Sequence, residues 1–344
     1  MLEKNVSRRT ALTLVAGGAL GVGAWEGWRS LVGRADSFAK PETDVCEKRL
    51  VKDLMQPVHV LDEFAPLKVA LVHDGSNAAS LSMDEQRRLI PAEELRDHPE
   101  AGPVFRDRVV EQQAEFLKLL AFHGVTLLNP ATQPAAFCQV FTRDPCFAVG
   151  DTLYLGSLRD AYRHPEVAGL VPIRQQVSKV ESLSGGGAHI EGGDVMVLKG
   201  GRLVLVGMNR HTNQAGIQNL RGHLAAAGAN VVCVPHRALH LDCCLAPLPK
   251  GEAFVAADHL PPETVSLLIS HFCQLIHLDR REAALQLAAN LLWLDQTQVV
   301  SSAAARKTNH LLRSMNYEVH ELDFTALTAM WGSFRCVTCP IRRG

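Results

Sequence analysis

The chain has 344 residues, 47% of them hydrophobic and 6% aromatic, with 35 basic residues against 36 acidic ones and a formal charge of −1. That is enough apolar material for one large domain or two small ones. The even balance, with no long run of like charge, excludes the electrostatic footprint of a nucleic-acid or anionic-membrane binder, so a small ligand is expected instead.

The first residues stand apart. Lys4 to Arg9 is basic, Ser7-Arg8-Arg9-Thr10 is a twin-arginine sequence, and Ala11 to Trp25 is apolar and rich in Gly and Ala. Together they predict a twin-arginine export signal over residues 1–39, ahead of a catalytic domain over 40–344 and a periplasmic location. The apolar run is about fifteen residues, short of the roughly twenty that span a bilayer. No stable membrane partner is expected unless the signal stays as an uncleaved anchor. Ser37-Phe38-Ala39 and Val22-Gly23-Ala24 are both candidate cleavage sites. Nine cysteines lack the spacing of a disulfide scaffold, since Cys243 and Cys244 are adjacent and Cys336-x-x-Cys339 is a single pair. One such pair does not make a zinc site, so no metal is expected.

Lys40 to Pro66 is mixed, charged and Pro-punctuated, a lead-in expected to pack on the domain. Lys68 to His73 reads as the first strand. Val110, Ala114, Leu117 and Ala121 recur at helical spacing up to Gly124, and Val125 to Leu128 closes the unit. The same order then repeats. Closing strands begin near 125, 179, 231, 275 and 318, a period of roughly 43–54 residues that marks a repeat architecture. Five mixed α/β units most simply close into a ring, because an open row leaves its end faces uncovered, and the segment after Leu322 would complete the first unit. A doubly wound sheet is the alternative. Against it, His73-Asp74-Gly75-Ser76-Asn77 is no glycine-rich phosphate loop.

Reactive residues fall at unit starts. Phe141-Thr142-Arg143-Asp144 opens the second unit, Glu191-Gly192-Gly193-Asp194 the third and His240-Leu241-Asp242 the fourth, while Arg335-Cys336 lies where the ring would close. In Glu191 to Asp194 the glycine pair is expected to give the backbone the freedom that sets both acids at the mouth of a strand. Equivalent positions in a ring converge on one axis. A Cys, a His and several carboxylates gathered there supply a nucleophile, a proton shuttle and acceptors for a cationic substrate.

Phe-Thr-Arg-Asp-Pro, Ile-Glu-Gly-Gly-Asp-Val, Leu-His-Leu-Asp and Arg-Cys-Val-Thr-Cys-Pro-Ile-x-Arg, in this order, resemble the guanidino-group-modifying enzymes of the pentein superfamily: arginine deiminases, dimethylarginine dimethylaminohydrolases and amidinotransferases. The likeness runs from about Val69 to Arg343. It implies a five-bladed α/β propeller and a cofactor-free thiol mechanism. By motif, Cys336 would attack the guanidinium carbon, His240 would move protons, Glu191 would hold and polarise the guanidinium, and Asp144 and Asp242 would accept its N–H groups. Arg143 and Arg210 are further substrate-binding candidates, and Asp194 is expected to support the turn. The implied reaction is hydrolysis of an arginine or methylarginine to a ureido product; amidino transfer to an acceptor amine and a non-catalytic binding protein are the alternatives.

Within that resemblance Glu191 favours hydrolysis over transfer and Asp242 favours an unsubstituted guanidinium, whereas chain length favours the shorter methylarginine enzymes. His211 and Trp331 stand where family arginines hold a substrate carboxylate, with Arg210 one residue away as a substitute. The export reading has a direct check. Replacing Arg8 and Arg9 together by lysine should leave the protein in the cytoplasm on fractionation, and unchanged export would overturn the reading.

Overall fold

The computed structural model describes residues 55–82, 84, 85, 87 and 103–344. The predicted export signal lies outside the described residues, among which no helix is long and apolar enough to cross a membrane.

Among the described residues, fifteen strands form five three-stranded sheets, each an antiparallel pair extended by a parallel strand. Parallel pairing needs a crossover, and the helices supply it. In the first blade β1 (Leu67–Leu71) runs through α1 (Arg106–Phe122) to β2 (Thr126–Leu128). In the second, β3 (Cys146–Val149) and β4 (Thr152–Leu155) pair before two short helices, α2 (His164–Ala168) and α3 (Ile173–Gln176), lead to β5 (Val180–Ser182). The third holds β6 (Val195–Leu198), β7 (Leu203–Met208), α4 (Gln214–Leu224) and β8 (Asn230–Pro235). The fourth holds β9 (Leu245–Pro247), β10 (Glu252–Val255), α5 (Pro262–Ile269) and β11 (Gln274–His277). After α6 (Arg280–Gln286), the fifth holds β12 (Leu292–Trp293), β13 (Gln298–Ser302), α7 (Arg306–Ser314) and β14 (Glu318–Leu322). The chain then passes α8 (Thr325–Thr328) and returns as β15 (Cys339–Arg343), antiparallel to β1.

The ring is therefore closed by the last strand completing the first sheet, as the repeat period predicts. Strands β3, β4 and β6 are buried at every position, and β3 and β6 accordingly read as unbroken apolar runs. The apolar core lies between neighbouring blades: one cluster joins the third, fourth and fifth, another the first, second and third, and another the first and fifth.

Two expectations need correction. Helix α1 ends as expected before Gly124, whose φ of 72° suits glycine, but it buries Val109, Gln112, Gln113, Phe116 and Leu120, a face one residue away from the predicted one. Two glutamines on that face misled the apolar pattern; Gln113 donates to the His73 carbonyl at 2.8 Å and Gln112 to Thr325 at 3.1 Å. The glycines of Glu191-Gly192-Gly193-Asp194 form a 3₁₀ turn and are absent from the positive-φ positions, so backbone freedom is not their purpose. Space is. A Cβ on Gly193 would stand 2.6 Å from His240 Cγ, and one on Gly192 would stand 2.1 Å from the Arg143 carbonyl oxygen.

The described part of the lead-in, residues 55–66, packs on the ring, with Val58 and Val60 buried. Its Glu63 reaches the centre, where it accepts from Arg335 Nη2 at 3.2 Å and from the Val197 amide at 3.2 Å. Burial opposes the Glu63 charge, but Arg335, with Arg143 and Arg343 behind it, outweighs burial and lowers its pKa from 4.5 to about 2. A depressed carboxylate adds stability that is present above its unfolded value and lost as the pH falls through its folded one. Glu63→Gln should cost about 3 kcal/mol at neutral pH. It should also flatten the pH dependence of stability between pH 4.5 and 2 in urea unfolding; an unchanged profile would show that the buried pair is not the source.

Candidate active site

The loops between blades converge on a pocket whose wall includes Asp144, Arg163, His240 and Cys336, with Phe137, Phe141, Tyr162, Leu239, Met330 and Trp331 supplying apolar surface. Cys336 is 2% exposed, so the pocket is its route to solvent. Its loop is held by Asn290 in the fifth blade, whose Oδ1 accepts the amides of Arg335 and Cys336 at 2.9 and 3.1 Å. The same side chain turns its Nδ2 to Cys336 Sγ at 3.1 Å and to the Asp242 carbonyl at 3.3 Å. One buried amide thus fixes the thiol's backbone and offers its sulfur a donor.

Across the site, His240 Nε2 lies 2.8 Å from Glu191 Oε2, and its Nδ1 lies 3.5 Å from Asp144 Oδ1. Burial alone would strip the imidazole of its proton. Asp144 and the bond to Glu191 outweigh burial and raise its proton affinity well above the ordinary histidine value. Glu191 shows the converse: burial opposes its charge, but hydrogen bonds from His211 and His240 hold it well below the ordinary carboxylate range. The pair therefore stores a proton on the ring and a charge on the carboxylate, as a general acid requires before donating.

Each expected clamp acid has one oxygen held by an arginine of the chain, but only Asp144 lines the pocket wall; Asp242 and Glu191 are buried and do not. Asp144 Oδ2 accepts from Arg163 Nη1 at 2.8 Å, leaving Oδ1 beside His240 with no hydrogen bond. Asp242 Oδ2 accepts from Arg335 Nη1 at 2.8 Å, leaving Oδ1 3.9 Å from Cys336 Sγ. Burial raises the Asp242 pKa, with Arg335 opposing. Arg163 is itself gripped by both oxygens of Glu166, at 2.8 Å each.

The remaining predicted residues lie behind the site. Asp194 Oδ1 accepts from the Leu241 amide at 2.8 Å and lies 2.9 Å from His236 Nε2, so it ties the third-blade turn to the segment that carries His240. Arg143 donates its backbone amide to the Cys336 carbonyl at 3.1 Å, and its side chain is directed to the Arg335 carbonyl, away from the pocket wall. Arg210 donates to His211 Nε2 at 3.2 Å, and neither residue lines the pocket. His211 instead sets Nδ1 3.5 Å from Glu191 Oε1. Trp331 does line the pocket, at a φ of 65° that an aromatic residue rarely adopts. Two donor trios, Glu191–His211–His240 and Asp242–Cys243–Cys336, each gather within 4.8 Å and could reach a metal ion.

Sequence reasoning missed Asn290, Arg163 and Glu63. The charged Arg163-His164-Pro165-Glu166 stretch was visible as an i,i+3 pair. Nothing local marks Asn290 or Glu63, because their partners are distant in sequence.

A thiol, a buried histidine–carboxylate pair and two anchored acids around the axis of a five-bladed ring define the guanidino-group-modifying pentein class. The arginine deiminase family model matches residues 121–263 and 273–343, and the chain belongs to that family. It is 28% identical over 251 residues to an N(G),N(G)-dimethylarginine dimethylaminohydrolase of Streptomyces coelicolor, covering 72% of this chain and 90% of that one. It is 27% identical over 253 residues to the uncharacterized protein YkgA of Bacillus subtilis, covering 73% and 86%. Among solved structures it is similar in fold to the amidinotransferase SxtG of Microseira wollei (TM-score 0.70, 17% identity, covering 83% and 97%). It is likewise similar to a dimethylarginine dimethylaminohydrolase of Pseudomonas aeruginosa complexed with citrulline (TM-score 0.63, 20% identity, covering 80% and 99%).

Asn290 gives the site a test that needs no substrate. A thiolate formed at Cys336 would accept a charge-assisted bond from Asn290 Nδ2, worth about 1.5–3 kcal/mol. Asn290→Ala should slow iodoacetamide labelling of Cys336 at neutral pH by about tenfold or more. An unchanged labelling rate, read by peptide mapping, would show that the sulfur does not depend on this donor.

Proposed function

We propose that the protein hydrolyses a guanidinium C–N bond of an arginine or methylarginine to a ureido product, with Cys336 as nucleophile. The observation that carries this reading is the placing of Cys336, Asp144 and His240 on one pocket wall, with Glu191 bonded to His240 behind it and Asp242 Oδ1 3.9 Å from the Cys336 sulfur. A planar guanidinium is the group that offers N–H donors to converging carboxylates while exposing an electrophilic carbon to a thiolate.

In this mechanism the Cys336 thiolate bonds to the guanidinium carbon, and the C–N bond to the leaving nitrogen breaks as the His240 imidazolium donates to it. Ammonia or an alkylamine leaves behind an S-linked thiouronium. Neutral His240 then takes a proton from water, which adds to the same carbon. The C–S bond breaks as the added hydroxyl gives its proton to solvent, where the released amine takes it up, so the ureido product leaves and the thiolate and the His240 imidazolium are restored. Arg163 and Arg335 act as positioning residues, since each fixes one oxygen of a clamp acid and so aims the other. The pocket wall near Met330 and Trp331 is apolar among the described residues, which supports weaker discrimination against substrates lacking an α-carboxylate than a dedicated arginine deiminase would show.

A panel of L-arginine, Nω-methylated arginines, agmatine and guanidinoacetate, each with and without an acceptor amine, tests the reading. The expected result is a ureido product independent of acceptor, absent in Cys336→Ala and reduced in kcat/KM by about a hundredfold or more in Asp242→Ala, as breaking a buried charged contact costs about 3–5 kcal/mol. Amidine on the acceptor would move the protein to amidino transfer. Turnover by Cys336→Ala, or none of any substrate with the thiol intact, would overturn the proposal.

A further inference from the structure

A second thiol stands beside the proposed nucleophile. Cys243 Sγ, Cys336 Sγ and an Asp242 carboxylate oxygen all lie within 4.8 Å of one another, and Asp242 Oδ1 is 3.5 Å from Cys243 Sγ and 3.9 Å from Cys336 Sγ. Nothing in the proposed hydrolysis uses Cys243. It is buried, and it is not part of the pocket wall.

We propose that Cys243 and Cys336 form a modification site, in which Cys243 resolves an oxidised Cys336 into a reversible disulfide. The proposal rests on the reading of Cys336 as the reactive pocket thiol. The co-reactant is a peroxide: the Cys336 thiolate attacks one peroxide oxygen, the O–O bond breaks, and with hydrogen peroxide the products are the Cys336 sulfenic acid and hydroxide. Cys243 sulfur then attacks the Cys336 sulfur. The S–O bond breaks, the S–S bond forms, and the thiol proton, taken up by Asp242 Oδ1 on the way, leaves with the departing hydroxide as water. A dithiol returns both cysteines by ordinary exchange.

Three observations favour this pair. Cys336 lines the pocket and Cys243 does not, so of this pair peroxide reaches Cys336 first. Cys243 ends the 3₁₀ turn Leu241–Cys243, and Cys336 lies in a turn before β15, so the approach of the sulfurs to the roughly 2.0 Å of a disulfide falls on turns and not on a strand ladder. Its contact with Cys336, burial and the adjacent Asp242 push the Cys243 thiol well up, which keeps it protonated and inert until a sulfenic acid forms beside it. The molecule contains its own control. Cys146 and Cys339 have sulfurs 3.7 Å apart, yet both are fully buried in strands and neither lines the pocket.

The full chain, reduced and then exposed to a modest excess of hydrogen peroxide, should lose two hydrogens and yield a Cys243–Cys336 linked peptide on non-reducing mapping. Iodoacetamide labelling of Cys336 should vanish and return after dithiothreitol. In Cys243→Ala, and equally in Cys243→Ser should the smaller side chain fail to fold, Cys336 should instead be captured by dimedone and then pass to the sulfinic acid, without return. A wild-type protein whose Cys336 goes straight to sulfinic acid, that links Cys146 to Cys339 first, or that shows no thiol change would overturn the proposal. These masses are read without any substrate, so a failed disulfide and a failed hydrolysis are separate results.

Discussion

The Arg335 guanidinium is the interaction on which the rest of the molecule depends. It sits fully buried and reaches Glu63 of the lead-in, Asp242 of the fourth blade and the Val195 carbonyl of the third, while its backbone amide is held by Asn290 of the fifth. Burial opposes its charge, but Glu63 and Asp242 raise its proton affinity above the ordinary arginine value. A buried cation tolerates no missing partner. Its neighbour in sequence is Cys336, so the network that closes the ring also fixes the thiol.

The same economy appears around the other acid. Asp144 is held by Arg163, which is held in turn by Glu166, and the free oxygen faces His240. Two arginines thus position two carboxylates from behind. Without Arg335, burial and the nearby charge of Asp144 would raise the Asp242 proton affinity still further. The ring closure carries a comparable constraint: Arg343 in β15 is buried and donates to the Ala65 and Trp293 carbonyls at 2.9 Å each, and burial lowers its pKa to about 10.

Glycine spacing links this electrostatic frame to packing. Gly193 lies against His240, and Gly332, beside the strained Trp331, would set a Cβ 2.1 Å from Phe141. These glycines mark where backbone must approach a ring closely, so the turn that carries Glu191 and the loop that carries Cys336 are both fixed by contact with a neighbouring blade.

The sequence by itself determined the unit period, the closing strands expected near 125, 179, 231, 275 and 318 and found to begin at 126, 180, 230, 274 and 318, and the return of the last segment to the first sheet. Alternating apolar strands and helices are local signals, and a repeat multiplies them. It also singled out three residues that the fold brings to one pocket wall, Cys336, His240 and Asp144, because they recur at unit starts in recognisable motifs. The tertiary structure alone decided which polar groups support them. The buried face of α1 shifted because Gln112 and Gln113 find partners that composition does not show. Asn290 is 46 residues from Cys336, and Glu63 is 272 residues from Arg335. The roles of Arg210, His211 and Arg143 changed for the same reason: a charged side chain goes where burial and distant partners let it keep its charge, and those partners meet only after the ring has closed.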